Sequence, residues 1–231
     1  VLASAATLRG KAAAEPGDAD RARRLALARL YLAIGFGAEA RHALTALSEA
    51  TAVPDGAEAW LLDLAAIVQG DPPAPAGPLV GAVDCPGAVA LWRLAAGFAD
   101  ALDPADAESL DALVEAVDAM PLELRRRLAP AAIETLLSVD GVDAARRLAD
   151  ALSRAPGDHG EAWRLAAARL AVAERDAARG EAGLSAVAAS GDPAAAEALA
   201  ALAERRLDRG ETLESDLVQR LGAAAFERSG T

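Results

Sequence analysis

Apolar residues recur with the period of an α-helix along nearly the whole chain. In the stretch ARLYLAIGFGAEARHAL, residues 28–44, they return every three or four positions on both sides of a break at Gly35 and Gly37. No stretch shows the period of two that a half-buried β-strand requires. The pattern therefore predicts an all-α protein of about twelve helices, each roughly 10 to 17 residues long and joined by short turns.

Aspartates precede several of the predicted helices, where a side-chain oxygen can accept a hydrogen bond from a free first-turn N–H. Pro104 and Pro193 each follow such an aspartate, at a position where a helix needs no N–H. Asp158 and Glu161 have the spacing of a capping box. The aspartates in this predicted role are Asp18, Asp55, Asp103, Asp158 and Asp192.

One long segment, Gln69–Gly87, interrupts the helical pattern. Its five prolines and four glycines preclude a regular helix. Leu79, Val80 and Val83 give the segment apolar side chains to bury, which indicates an ordered loop that wraps over the core. We therefore expect a single domain over residues 1–231, with helices in 1–69, the Pro/Gly-rich loop in 70–87 and further helices in 88–231.

An internal repeat indicates how the helices are organised. Residues 14–30 align without gaps with residues 154–170, and ten of the 17 positions are identical, including Pro-Gly-Asp. The offset of 140 residues is close to four units of 34 to 35 residues. This spacing favours a stack of helix pairs in which one unit is enlarged.

The repeat resembles the tetratricopeptide repeat, a 34-residue helix–turn–helix unit. The clearest copy covers residues 21–54, and the match is degenerate elsewhere, so an irregular all-α bundle remains the alternative fold. The positions that match the family's first helix, turn and second helix are Leu27, Ala28, Tyr31, Gly35, Ala40 and Leu44. A second set matches the second helix alone, namely Ala144, Leu148, Ala151 and Pro156.

The resemblance implies a right-handed superhelical stack whose concave groove binds a peptide or helix of a partner protein. Some members of the family hold a C-terminal carboxylate with Lys and Asn. That clamp is disfavoured here because Lys11 is the only lysine and the chain has no asparagine. The positions that correspond to the family's groove, and are our candidate partner-binding residues, are Arg29, Asp63, Arg126 and Trp163.

The composition argues against several other functions. The formal net charge is −12, which disfavours nucleic acid as a partner. No apolar run reaches the roughly 18 to 20 residues of a membrane span, so we expect no membrane insertion. His42, His159 and Cys85 stand apart from one another at spacings that fit neither a metal site nor a catalytic pair. We therefore expect no enzyme activity, no cofactor and no metal.

What remains is a non-catalytic scaffold or adaptor in a multi-protein assembly. Basic residues that are nearly all arginine are typical of a high-GC bacterial genome. By analogy with other helical-repeat scaffolds, the assembly could be a flagellar motor, a secretion system or a cell-wall complex. The chain does not begin with Met, so we expect that a segment precedes it. If that segment carries an export signal, the protein is periplasmic. The alternative is a regulatory or substrate-recruiting domain of a larger enzyme or sensor. The terminal helix with Leu217, Leu221 and Phe226 is a candidate end cap or homodimer seam.

Overall fold

The computed structural model describes residues 18–48, 56–82 and 87–229, which form twelve helices and no strand, so the expected all-α class is confirmed. Predicted features at Asp55, Val83, Cys85 and residues 49–54 lie outside the described residues. The helices are α1 (Asp18–Ala33), α2 (Gly37–Ser48), α3 (Gly56–Gln69), α4 (Pro78–Gly81), α5 (Gly87–Ala95), α6 (Ala107–Ala119), α7 (Leu122–Ser138), α8 (Val142–Ser153), α9 (Gly160–Ala173), α10 (Ala177–Ala188), α11 (Ala194–Asp208) and α12 (Ser215–Ser229).

Every odd-numbered helix ends in the same way, with one residue in the left-handed conformation just after it. After α3, for example, the Gly70 N–H bonds to the Ile67 carbonyl and the Asp71 N–H to the Ala66 carbonyl, both at 3.0 Å. These two bonds form a Schellman motif, which satisfies carbonyls that the helix end leaves free. The left-handed residues that follow the six odd-numbered helices have φ between 58° and 85°; they are Gly35, Gly70, Gly97, Asp140, Arg175 and Gly210.

Five of these six positions are multiples of 35, so the chain is built from helix pairs that repeat every 35 residues. Gly97 is the exception to this spacing, since it lies eight residues before position 105, the next multiple of 35. The internal repeat in the sequence is therefore visible as structure. The first helix of the first pair ends at Ala33 and the second begins at Gly37; the corresponding bounds of α9 and α10 lie exactly 140 residues later, at Ala173 and Ala177.

A tight hairpin joins the helices in three of the six pairs. In each, the second helix begins two residues after the left-handed residue. The residue three positions further into that helix is small and buried: Ala40, Ala145 or Gly180. A Cβ atom on Gly180 would lie 2.6 Å from Val172 Cγ2 of α9. The two helices of a pair can therefore approach closely only where this side chain is small.

The chain divides into two compact units, Val1–Ala155 and Pro156–Thr231. In the first unit, α1, α3, α5 and α7 contact one another in sequence order, while α6 packs against α8. In addition, α7 contacts α1 and α3. A strictly nearest-neighbour stack would lack these last contacts, because each repeat would touch only the next one.

The second pair of the first unit has only the four-residue α4 where the other pairs have a full second helix. Its segment, 71–82, packs against the helices around it, and Leu79 is completely buried. The carboxylate of Asp63 on α3 accepts hydrogen bonds from the Ala74 N–H (3.0 Å) and the Leu79 N–H (3.1 Å). From the other side, Arg93 of α5 donates to the Leu79 carbonyl at 2.9 Å. Two buried charges therefore hold this segment in place.

In the second unit, α9 packs against α10 and α11, α10 packs against α11, and α11 packs against α12. Their buried side chains form one cluster, to which Leu217 of α12 belongs and against which Leu221 packs. Of the three apolar residues predicted on the terminal helix, only Phe226 is exposed to solvent, at 79%.

Several predicted helix starts lie a few residues away from the observed ones. Asp103 and Pro104 form a turn, and α6 begins only at Ala107, where Asp106 accepts a hydrogen bond from the Glu108 N–H. Asp158 and Asp192 do accept hydrogen bonds from backbone N–H groups, at Gly160 and Ala194 respectively. In both cases the aspartate stands one residue before the N-cap, because the cap itself is His159 or Pro193.

Candidate protein-binding groove

The first turn of α9 presents an aromatic side chain beside a charged network. Asp158 accepts from the Gly160 N–H at 3.0 Å and from Arg164 Nη2 at 2.9 Å. Arg164 also forms an ion pair with Glu161, so both acidic residues near the helix start are engaged by one guanidinium. The His159 ring meets Trp163 edge-on, with 6.0 Å between centroids and 82° between planes. These contacts fix the orientation in which Trp163 leaves the helix.

Trp163 forms one wall of a groove of about 240 Å³ between α9 and α10. A Cβ atom on Gly183 would lie 2.8 Å from Ala168 Cβ, so the glycine allows α10 to approach α9 closely at this point. Trp163 is only half-buried, and most of the other residues that line the groove have small side chains. The groove is lined by Trp163, Arg164, Ala167, Ala168, Arg179, Gly183, Ala186 and Val187.

Both charged residues that line the groove are arginines. Arg164 is already paired with Asp158 and Glu161. Arg179 is exposed, and its side chain makes no ion pair within the part of the chain that the structure describes; only its backbone N–H is bound, to Asp176 at 3.1 Å. The groove therefore offers one guanidinium, that of Arg179, which makes no ion pair with a described residue, on a chain whose net charge is −12.

The Asp158 carboxylate shows the electrostatic effect of this helix start. The hydrogen bond from the Gly160 N–H, and next the positive charge of Arg164, hold the pKa of Asp158 below its usual value. A carboxylate whose pKa is lowered stays ionised at neutral pH, so it serves here as a fixed partner for Arg164. The groove itself is lined by arginine as its only titratable residue type. Arginine does not lose its proton in proteins, so the groove offers no general acid or base.

The four residues predicted to line one groove are divided between the two compact units, with Arg29, Asp63 and Arg126 in the first and Trp163 in the second. Arg29 on α1 is exposed, and Arg126 on α7 forms an ion pair with Glu123 at 3.0 Å. Asp63 on α3 is 1% exposed, and its carboxylate accepts hydrogen bonds from the 71–82 segment. Of the four, only Trp163 lines the groove between α9 and α10.

The tryptophans divide between the core and partly exposed positions. Trp92 is 8% exposed and belongs to the core. Trp60 and Trp163 are only half-buried. Sequence reasoning also missed Arg93, whose guanidinium is buried against the Leu79 and Val80 carbonyls. The signal for Arg93 is its place inside the otherwise apolar run ALWRLA, where a charge must find buried partners.

Within residues 18–48, 56–82 and 87–229, no three or more His, Cys, Asp or Glu side chains are grouped so that they could hold a metal ion. None of the helices in these ranges combines the length and apolar character that crossing a membrane requires. Comparison of the chain with known protein families, with curated proteins and with solved structures found no match.

Proposed function

We propose that this protein is a non-catalytic scaffold that binds a segment of a partner protein, and that the groove beside Trp163 is a contact site. The observation that carries the proposal is the half-buried indole above a floor of alanine and glycine. Tryptophan is enriched at the energetic centres of protein interfaces, since it buries a large apolar area and loses little conformational freedom.

The charges of the groove restrict the chemistry of the partner segment. Arg179 has a guanidinium available for a carboxylate, and Arg164 lies at the same groove. The segment we propose therefore carries one bulky apolar side chain, which packs on Trp163, and an acidic residue that pairs with Arg179. A volume of about 240 Å³ suits a single side chain rather than a whole helix.

The finer description of the fold belongs to the same proposal. A period of 35 residues, close to that of the tetratricopeptide repeat, and the recurring Schellman caps favour tetratricopeptide-like pairs that form a right-handed stack. Scaffolds of such pairs bind extended segments through side chains of their first helices, and Trp163 lies on the first helix of its pair. The assembly we propose is a bacterial one, on the arginine-rich composition of the chain.

The experiment begins with selection of peptides that bind the immobilised chain from a random display library. The affinity of a selected peptide is then measured for three variants. We expect Trp163→Ala to weaken binding at least about tenfold and Arg179→Glu to weaken it severalfold. Arg175→Glu makes the same charge change at an exposed position outside the groove, so its affinity should equal that of the wild type.

Circular dichroism and the unfolding midpoint of each variant test whether the fold is kept. Equal affinity of Trp163→Ala and the wild type would contradict the proposed site. A selection that yields no binding peptide would contradict the scaffold function itself.

A further inference from the structure

His159 packs against Trp163 with one of its ring nitrogens buried. The two rings meet edge-on, with 6.0 Å between centroids and 82° between planes. Nδ1 of His159 has no hydrogen-bond partner among the residues that the structure describes. A neutral imidazole carries one N–H and can leave Nδ1 as an acceptor, whereas a protonated imidazole carries an N–H at both nitrogens. The contact with Trp163 therefore suits the neutral ring.

A proton on Nδ1 would be costly in this position. The new N–H would reach neither an acceptor nor water, and an unpaired buried donor costs most when its group is charged. The side chain of His159 caps no N–H group of α9, although the residue is the N-cap, so this part of the helix start does not hold the ring in place. Rotation of the side chain can therefore release the buried nitrogen.

An acceptor for the protonated ring is at hand in Asp158. Its pKa is lowered chiefly by the hydrogen bond from the Gly160 N–H and by the charge of Arg164, and the charge of His159 adds to the effect. The His159 ring and the Asp158 carboxylate are thus close enough to interact. Protonation therefore favours a conformer in which the ring has left Trp163 and turned towards this carboxylate or the solvent.

We propose that protonation of His159 weakens the binding of the partner segment, so that the groove beside Trp163 binds more tightly at pH 8 than at pH 5.5. This inference rests on the proposed function, because it requires a partner side chain that packs on Trp163. Once the His159 ring has left, the indole loses the contact that orients it and must be ordered again on binding. The contribution of an aromatic pair corresponds to a rise of the dissociation constant of about threefold to tenfold.

The other charges at the groove do not reverse this effect. Asp158 stays ionised, and it offsets the positive charge that His159 gains. Arg164 is paired with Asp158 and Glu161, and α10 brings Arg179 to the groove, whose guanidinium keeps its proton. The residues that line the groove come from α9 and α10 alone, so α11 adds no charge to it.

The test measures the affinity of a selected peptide that contains no histidine, with the full chain at pH 8 and at pH 5.5, a range over which histidine takes up its proton. In the wild type the dissociation constant should rise about threefold to tenfold at the lower pH. In His159→Phe the ratio of the two constants should fall to about one, because phenylalanine offers a ring that takes no proton. The backbone of His159, with φ −94° and ψ −2°, accepts this replacement without strain.

The matched control is His42→Gln, which removes the other histidine of the chain at an exposed position of α2. It should keep the ratio of the wild type. Equal affinity of the wild type at the two pH values, tighter binding at pH 5.5, or a wild-type ratio in His159→Phe would each overturn the proposal while leaving the groove as the binding site.

A second measurement needs no peptide, so it separates this proposal from the proposed function. In the free wild type, the ¹⁵N-detected indole signal of Trp163 should move between pH 8 and pH 5.5, whereas in His159→Phe it should stay in place. The Trp92 signal should not move in either protein, because this side chain is in the core. Absence of peptide binding at both pH values would contradict the proposed function, and a Trp163 signal that does not move in the wild type would overturn the switch.

Discussion

Arg127 of α7 donates a hydrogen bond from Nη1 to the carbonyl oxygen of Val68, in the last turn of α3, at 2.7 Å. Its Nε also lies 3.5 Å from the position that a Cβ atom would take on Gly35, the left-handed residue after α1. One side chain of α7 therefore lies against the C-terminal ends of both α1 and α3, the first helices of the first two pairs. It places a positive charge at the negative end of the α3 dipole.

Replacing Arg127 with methionine should lower the free energy of unfolding by about 1 kcal/mol, since a charged hydrogen bond to a helix carbonyl is lost while the apolar stem is largely kept. Urea unfolding measures the change. Arg29→Met is the matched control on an exposed arginine that makes no ion pair with a described residue, and it should stay within about 0.5 kcal/mol of the wild type. Equal losses for the two variants would show that Arg127 has no special role.

Arg175 holds a left-handed conformation, with φ at 65°, at the position where Gly35 stands in the equivalent pair. Such a conformation costs a residue with a Cβ atom roughly 1 kcal/mol or more. We therefore predict that Arg175→Gly raises the free energy of unfolding by about 0.5 to 1 kcal/mol. Arg179→Gly, in the first turn of α10, should instead lower it, because glycine is a poor helix former. If both substitutions destabilise the protein alike in thermal unfolding, the Schellman assignment at Arg175 is wrong.

Asp63 accepts two backbone hydrogen bonds while 1% exposed, so Asp63→Asn should destabilise the 71–82 segment. An amide nitrogen cannot accept a hydrogen bond, and one buried N–H would lose its partner at a cost of about 1 to 3 kcal/mol. We expect faster hydrogen exchange at the Leu79 amide. Asp71→Asn changes an exposed carboxylate paired with Arg41 and should leave that exchange rate unaltered. Unchanged protection in Asp63→Asn would refute the clamp.

The lowered pKa of Asp158 predicts a definite pH dependence. Because its folded pKa is below the unfolded value, the interaction stabilises the fold at neutral pH and is lost as the pH falls through the folded pKa. Arg164→Met should raise this pKa only part of the way, since the hydrogen bond from Gly160, the larger cause, remains. Carboxyl-detected NMR titration measures it. A pKa that returns fully to the ordinary value in Arg164→Met would contradict this order of causes.

The sequence alone was sufficient for the all-α class and for the helix pairs, because Ala14–Leu30 and Arg154–Leu170 share enough residues to reveal an offset of 140. It was not sufficient for the turn after α9. That turn uses Arg175 where the pattern has glycine, and the conformation is fixed by hydrogen bonds to Ala171 and Val172 rather than by residue type. The period of exactly 35 was hidden for this reason.

The candidate site was predictable only in part. Trp163 was a candidate because it corresponds to a groove position of the resembled family, and the structure adds the close approach of Gly183 to Ala168 in the groove that Trp163 lines. The burial of Asp63 could not be predicted, because a charged residue on a helix usually lies on the solvated face. Its burial depends on a non-helical segment, 71–82, whose path no local pattern specifies. Gly77 reflects the same contact, since a Cβ atom there would overlap the Asp63 carboxylate.

The most direct test of the proposed function uses the three indole N–H signals in a ¹⁵N NMR titration with a selected peptide. Trp92, which is buried in the core, is the internal reference. If the groove between α9 and α10 binds the partner segment, the Trp163 signal should shift and saturate with the peptide while the Trp60 and Trp92 signals stay in place. Saturable binding that leaves the Trp163 signal unmoved would contradict the account.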